Sequence, residues 1–255
     1  MTLLGGGTET RVVHGGGFPA SAPAHDRTIE HRFFTGMAIA IAITVLAGFA
    51  RSYYLRPYFD APPLQPVLHL HGLVFSSWIA LYVTQTSLVA TSRVRTHRRL
   101  GVAGGVLAVM LVLVGTITAI VRARHGAAPP GGPPPLVFLV VPLSDMVVFA
   151  LLAGAGLYFR RQMAVHKRLM LLATVALLAA PIARLPLGIL RHGVLVVFGL
   201  SDFFIVALVA YDLAMFRRIH RATAWGGLAL VASQPLRLML GGTGVWLAFA
   251  GWLTR

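Results

Sequence analysis

The chain has 255 residues, 57% of them hydrophobic and 11% charged, with 22 basic against 7 acidic side chains and no cysteine. Soluble domains carry about 25% charged residues, so this chain has too little polar surface to cover itself in water. A soluble globular enzyme, a coiled coil and a disordered scaffold are excluded, and the lack of cysteine removes disulfides, thiolate metal sites, iron–sulfur clusters and cysteine nucleophiles.

The formal net charge of +15 would suggest nucleic acid on a soluble protein. Here the basic residues sit in short clusters between apolar runs, which is the pattern of topology signals and of contacts with anionic lipid headgroups. The expected partner is therefore a lipid bilayer with anionic headgroups, and not nucleic acid.

Residues 1–28 are rich in Gly, Ala, Ser and Pro and lack a sustained apolar run, so they read as a flexible cytoplasmic tail. The remainder, 29–255, reads as one transmembrane domain. Seven apolar runs follow the tail: Phe33–Ala50, Pro66–Ala90, Leu100–Val121, Leu136–Phe159, Leu169–Leu190, Val194–Phe216 and Trp225–Leu253. A bilayer core of about 30 Å takes about 20 helical residues, so the fold class is an all-α polytopic membrane bundle of seven transmembrane helices. The last run contains Gln234, Pro235, Arg237 and two glycine pairs, and is expected to kink or partly unwind.

Orientation follows from the basic residues of the connections. With the amino terminus inside, the inner set is Arg27, Arg32, Arg93, Arg95, Arg98, Arg99, Arg160, Arg161, Lys167, Arg168, Arg217, Arg218 and Arg221. The outer set is Arg51, Arg56, Arg122, Arg124, Arg191 and Arg255. That asymmetry predicts the amino terminus inside and the carboxyl terminus outside, in a bacterial cytoplasmic membrane.

The chain also resembles itself. Pro142-Leu-Ser-Asp145 aligns with Gly199-Leu-Ser-Asp202, Phe159-Arg-Arg161 with Phe216-Arg-Arg218, His166-Lys167 with His220-Arg221, and Ala180-Pro181 with Gln234-Pro235. Helices four and five are thus expected to repeat as helices six and seven, and parallel hairpin repeats are a known membrane architecture.

The ionisable residues inside the runs point to a site. Asp145 and Asp202 each lie 14 residues before the inner Phe of their helix, and Arg184 and Arg237 each lie 16 residues after the inner base of theirs. At about 1.5 Å per residue, all four fall about 21–24 Å from the inner ends, in one layer of the outer leaflet. Charges there are costly and are expected to face inward and pair, Asp145 with Arg184 and Asp202 with Arg237 inside each hairpin, or crossed between hairpins. Gln234 belongs to the same buried polar layer. Such a layer serves either as an ion-pair clamp or as a polar pocket for a ligand, proton or metal.

His69 and His71 are two residues apart and point about 200° from each other on a helix, so they cannot ligate one ion together. His71 is the interior candidate and the possible metal ligand, because Phe75 and Trp78 follow on its face. On the inner side His97, His166 and His220 each precede a basic residue near a helix start. They are either headgroup-facing boundary residues or, for two of them, ligands to a haem iron. Gly101, Gly104, Gly105 and Gly115 give the third helix a small-residue face that permits close helix contact or admits a flat macrocycle.

The stretch from His71-Gly-Leu-Val-Phe-Ser-Ser-Trp78 to Arg98-Arg-Leu-Gly101, with His166-Lys-Arg-Leu-Met170, resembles the helix-start motifs of small bacterial multi-pass membrane families. Some of these are uncharacterised, and some resemble the transmembrane cytochromes b that carry two haems in a bundle. The resemblance covers about 100 residues and implies haem b as a cofactor, with His97 and His166 as its ligands. It departs from the two-haem pattern at the fourth helix, which carries Asp145 and no histidine. A retinal protein is excluded, because the single lysine, Lys167, stands at a helix boundary.

Two classes of function remain. The first is a small-ligand binding or transport protein, or an accessory subunit working with other membrane subunits. The alternative is a haem- or metal-binding redox protein of the cytochrome b kind. The chain has no nucleotide-binding loop and no acid-rich catalytic cluster, so it does not declare itself an enzyme.

Overall fold

A computed structural model of the chain describes residues 24–59, 63–129 and 132–255. Most of the expected 1–28 tail lies outside the described residues, and the first helix has already formed at Ala24.

Among the described residues the secondary structure is helical throughout. The principal helices are α1 (Ala24–Phe49), α2 (Pro66–Ala90), α3 (Val94–Arg124), α4 (Pro135–Tyr158), α5 (Met163–Ile182), α6 (Val194–Phe216), α7 (Arg221–Gly241) and α8 (Gly244–Leu253). Six of them, α1 to α6, are long and apolar enough to cross a membrane, and the count rises to seven if the bent pair α7 and α8 forms one span.

The outward faces explain why such a bundle needs lipid. Val102, Val106, Val109, Leu113 and Ile117 form an exposed apolar stripe along α3, with Val102 74% accessible. A soluble monomer rarely leaves so continuous a patch uncovered.

Prolines open helices where their missing N–H costs nothing, as at Pro66 and Pro135. Ser92, with φ of 60°, turns α2 sharply into α3, and Arg217, with φ of 57°, ends α6. These short turns make α2–α3, α4–α5 and α6–α7 antiparallel neighbours. Their turns share one end of the bundle with the start of α1, and the starts of α2, α4 and α6 share the other, the long-loop end.

The interior is built on Ile41, Leu111, Phe149, Leu171, Leu172 and Leu208, all fully buried. Trp78 donates to Thr174 Oγ1 at 3.3 Å and ties α2 to α5. Gly48 lets α1 meet α5 backbone to backbone, since a Cβ there would overlap the Pro181 carbonyl. Helix α5 loosens at Ala176–Leu178, just before Pro181, where the proline ring leaves no donor for the Leu177 carbonyl.

The last run departs from a single kinked helix. It stays helical through Pro235 and breaks at Gly242–Thr243, where α8 leaves α7 at 86°. Thr243 caps the new helix by accepting from Trp246 N at 3.2 Å. Trp246 donates to the Leu136 carbonyl at 2.8 Å, which docks α8 on the start of α4 in a separate small core with Phe198 and Leu139.

Candidate functional site

At the long-loop end, two of the four expected charges pair across α4 and α7, and a third, Asp202 on α6, takes an amide partner from α7. Arg237 forms an ion pair with Asp145 across α7 and α4. It donates to the Ser233 carbonyl at 3.2 Å and to Ser233 Oγ at 2.7 Å, and its guanidinium lies 5.4 Å from the centre of the Phe198 ring. Serine one turn back and phenylalanine alongside thus aim a flexible side chain at one carboxylate. Gln234, the next side chain but two, donates to Asp202 Oδ1 at 2.7 Å.

Of the two pairings left open by the sequence, the crossed one forms for Asp145. Neither Asp145–Arg184 nor Asp202–Arg237 forms, and the crossed pair takes their place. Arg184 stands apart, donating to the Ala180 carbonyl at 2.6 Å with its guanidinium 4.9 Å from the centre of the Phe49 ring. The reason is local: α5 ends at Ile182, so Arg184 falls in the following loop, whereas Arg237 is still held inside α7. The layer therefore holds two carboxylates and one guanidinium, with an amide on the second carboxylate.

A second polar cluster, which the sequence reading did not anticipate, sits at the tight-turn end. Arg168 on α5 and Asp212 on α6 form an ion pair at 2.5 Å, with side chains only 1% and 0% exposed. Asp212 Oδ2 also accepts from Thr223 Oγ1 at 2.6 Å and from the His220 backbone N at 3.1 Å, and Arg168 donates to the Ala164 carbonyl at 2.9 Å. Buried charges need this degree of satisfaction to be tolerated. Beside it Lys167 pairs with Glu30 on α1. Lys167 and Arg168 were counted as inner-loop charges, and both turn out to be neutralised against other helices. The available signal was Asp212 itself, one of only seven acids, embedded in an otherwise apolar run.

His220 caps α7 by accepting from Ala222 N at 3.0 Å through Nδ1. Burial, and then the Arg168 charge, push its pKa down to about 4, so the imidazole stays neutral and able to accept.

His97 and His166 do come together, their ring centroids 6.3 Å apart and their planes nearly perpendicular. His166 Nδ1 donates to the Gly156 carbonyl at 2.7 Å, which leaves Nε2 with its lone pair. Gln85, with its amide turned to match donors and acceptors, donates to His97 Nδ1 at 2.8 Å. That places the His97 proton on Nε2. The glycine face of α3 is occupied: a Cβ at Gly101, Gly104 or Gly105 would meet Gln85, Leu81 or Leu157 within 4 Å. The packing thus uses the small residues of α3 for contact with neighbouring side chains.

His71 stacks on Phe75 with centroids 4.0 Å apart. Among the described residues no group of three or more His, Asp or Glu side chains gathers to hold a metal ion, so His71 has no companion ligands.

Comparison with family models, with curated proteins and with solved structures finds no match for the chain.

Proposed function

We propose that this is a multi-pass protein of the bacterial cytoplasmic membrane, amino terminus inside, that binds a small polar ligand at the Asp145–Arg237–Asp202–Gln234 layer. It acts as a binding or transport protein, or as an accessory subunit in contact with other membrane subunits. The α4–α5 and α6–α7 hairpins are the two halves of a repeat, and anionic headgroups contact the basic turns.

One observation carries this reading: Asp145 is matched by a guanidinium, whereas the Asp202 carboxylate is met by a neutral amide. A carboxylate inside a membrane helix with only an amide beside it is costly unless a proton or a ligand joins it. It suits a ligand that donates hydrogen bonds or carries positive charge.

The test is a thermal-shift screen of the purified protein against amines, amino acids and monovalent and divalent cations, repeated on Asp202→Asn. A ligand that stabilises the parent and not the variant supports the reading. No shift with any of them, or a shift kept in Asp202→Asn, overturns it.

The alternative, a b-type haem protein, has the juxtaposition of His97 and His166 in its favour. A Soret band that shifts on dithionite reduction and is lost in the His97→Ala, His166→Ala double variant would establish it. A colourless protein ends it.

A further inference from the structure

The long-loop end holds a second group of polar side chains, on α2, α3 and the connection after α5. Thr118 on α3 is 6% exposed, and its hydroxyl has no hydrogen-bond partner. This is unusual in this bundle, because Thr44, Thr84 and Thr174 all turn their hydroxyls back to the carbonyl four residues earlier. His71 on α2 also has a buried Nδ1 with no partner. Buried polar atoms are normally satisfied, and those that are not call for an explanation such as a ligand.

The two residues stand at the same level. His71 stacks on Phe75, and the Phe75 ring tip lies 3.1 Å from where a Cβ would stand on Gly115. His71 is one turn beyond Phe75 toward the long-loop end, and Thr118 is one turn beyond Gly115 in the same direction, on antiparallel helices packed face to face.

Two guanidiniums frame this level. Arg122 is one turn past Thr118 on the same face of α3. The Arg122 and Arg184 side chains are both exposed, and desolvation, then the charge of Arg122, hold the Arg184 pKa below the usual value. Among the described residues neither Arg122 nor Arg184 has a carboxylate within ion-pair distance. Two like charges brought together with donors from Thr118 and His71 have the makings of an anion cradle, and guanidinium forks match carboxylate and phosphate oxygens.

We propose that Arg122, Arg184, His71 and Thr118 form a binding site for an oxyanion, a phosphate or carboxylate group, entered from the long-loop end and distinct from the Asp202 layer. The group is supplied either by a soluble small anion or by the phosphate of an anionic lipid headgroup. This explains why the charges were not placed to neutralise Asp202: they face another helix pair and another ligand.

The experiment measures unfolding temperature of the full chain, in neutral detergent with inorganic phosphate exchanged for chloride at constant ionic strength, and in nanodiscs of phosphatidylcholine with or without phosphatidylglycerol. Stabilisation by phosphate identifies a soluble anion, and stabilisation by phosphatidylglycerol alone identifies a lipid headgroup. In either case Arg184→Gln and Arg122→Gln should weaken the midpoint of the effect by about tenfold or more, the loss expected for one charge-assisted contact. Thr118→Val, which removes a buried hydroxyl without changing shape, should fold at least as well as the parent and still lose part of the effect. Arg95→Gln, at the opposite end, should keep all of it. No stabilisation by either probe, or stabilisation unchanged in Arg122→Gln, Arg184→Gln and Thr118→Val, overturns the proposal.

Discussion

Arg237 reaches across to Asp145, 92 residues earlier in the chain, and not to Asp202, 35 residues earlier and on the neighbouring helix of its own hairpin. That one contact links the α4–α5 hairpin to the α6–α7 hairpin at their long-loop end. Arg168 with Asp212 does the same at the other end. The two hairpins are therefore pinned at top and bottom by crossed ion pairs, with apolar packing between.

The first prediction follows from the upper pin. Asp145→Asn alone leaves a buried guanidinium unmatched and should cost about 3–5 kcal/mol. Adding Arg237→Gln should recover part of that loss, and adding Arg184→Gln should recover none. Denaturant unfolding of the single and double variants in detergent, read as a double-mutant cycle, checks both statements. Equal losses in Asp145→Asn and the Asp145→Asn, Arg237→Gln variant would contradict the pairing.

The lower pin should be as sensitive. Asp212→Asn removes the partner of Arg168 and weakens the acceptor for Thr223 and the His220 backbone at once, so a loss of about 3–5 kcal/mol is expected. Thr223→Val removes a single hydroxyl and should cost about 0.5–2 kcal/mol. If the two variants unfold at the same denaturant concentration, the carboxylate is not the centre of the cluster.

His220 predicts a pH dependence. Its folded pKa of about 4 lies below the ordinary 6.5. Between those values the unfolded chain binds a proton that the folded chain refuses, so this contribution to stability is complete above about pH 6.5 and is lost as pH falls toward 4. Lys167, Arg168 and Arg218 repel the added charge, and Asp212 opposes them. His220→Asn keeps a capping side chain without the titration. Unfolding midpoints at about pH 7 and pH 5 should therefore differ less in the variant than in the parent.

Two glycines of α1 give a contrast within one helix. Gly48→Ala drives a methyl into the Pro181 backbone and should cost about 1–3 kcal/mol. Gly36→Ala meets nothing within 4 Å and should be stabilising by about 0.5–1 kcal/mol, the helix preference for alanine over glycine. Unfolding temperatures of opposite sign relative to the parent are the expected result.

The helices were legible because their signal is bulk hydropathy over long windows, and Pro66–Ala90 and Val194–Phe216 match the apolar runs at both ends. That Asp145 and Arg237 share a level was also legible, since rise per residue is constant in a helix. Their partners were not, because pairing depends on how helices rotate about their axes, and no single-sequence period records that. Arg184 was misplaced because equal spacing in a repeat presumes equal helices, and α5 stops short at Pro181–Ile182 where α7 runs on. Arg168 and Asp212 were overlooked for a simpler reason. A base near a helix start reads as a topology signal, and a lone acid near a helix end disappears into the hydropathy average.

The right-angled turn after Gly241 bears on where the carboxyl terminus travels. At about 1.5 Å per residue the 21 residues of α7 already measure about 31 Å, the depth of the hydrocarbon layer. If α7 stands upright, α8 adds no further depth and runs sideways like the foot of a letter L, its Trp252 64% accessible. Such a foot rests at the level of the headgroups, where indole rings prefer to lie. The chain's end would then serve less as a final crossing than as a brace against the membrane surface, fixed to α4 through Trp246 and Leu136.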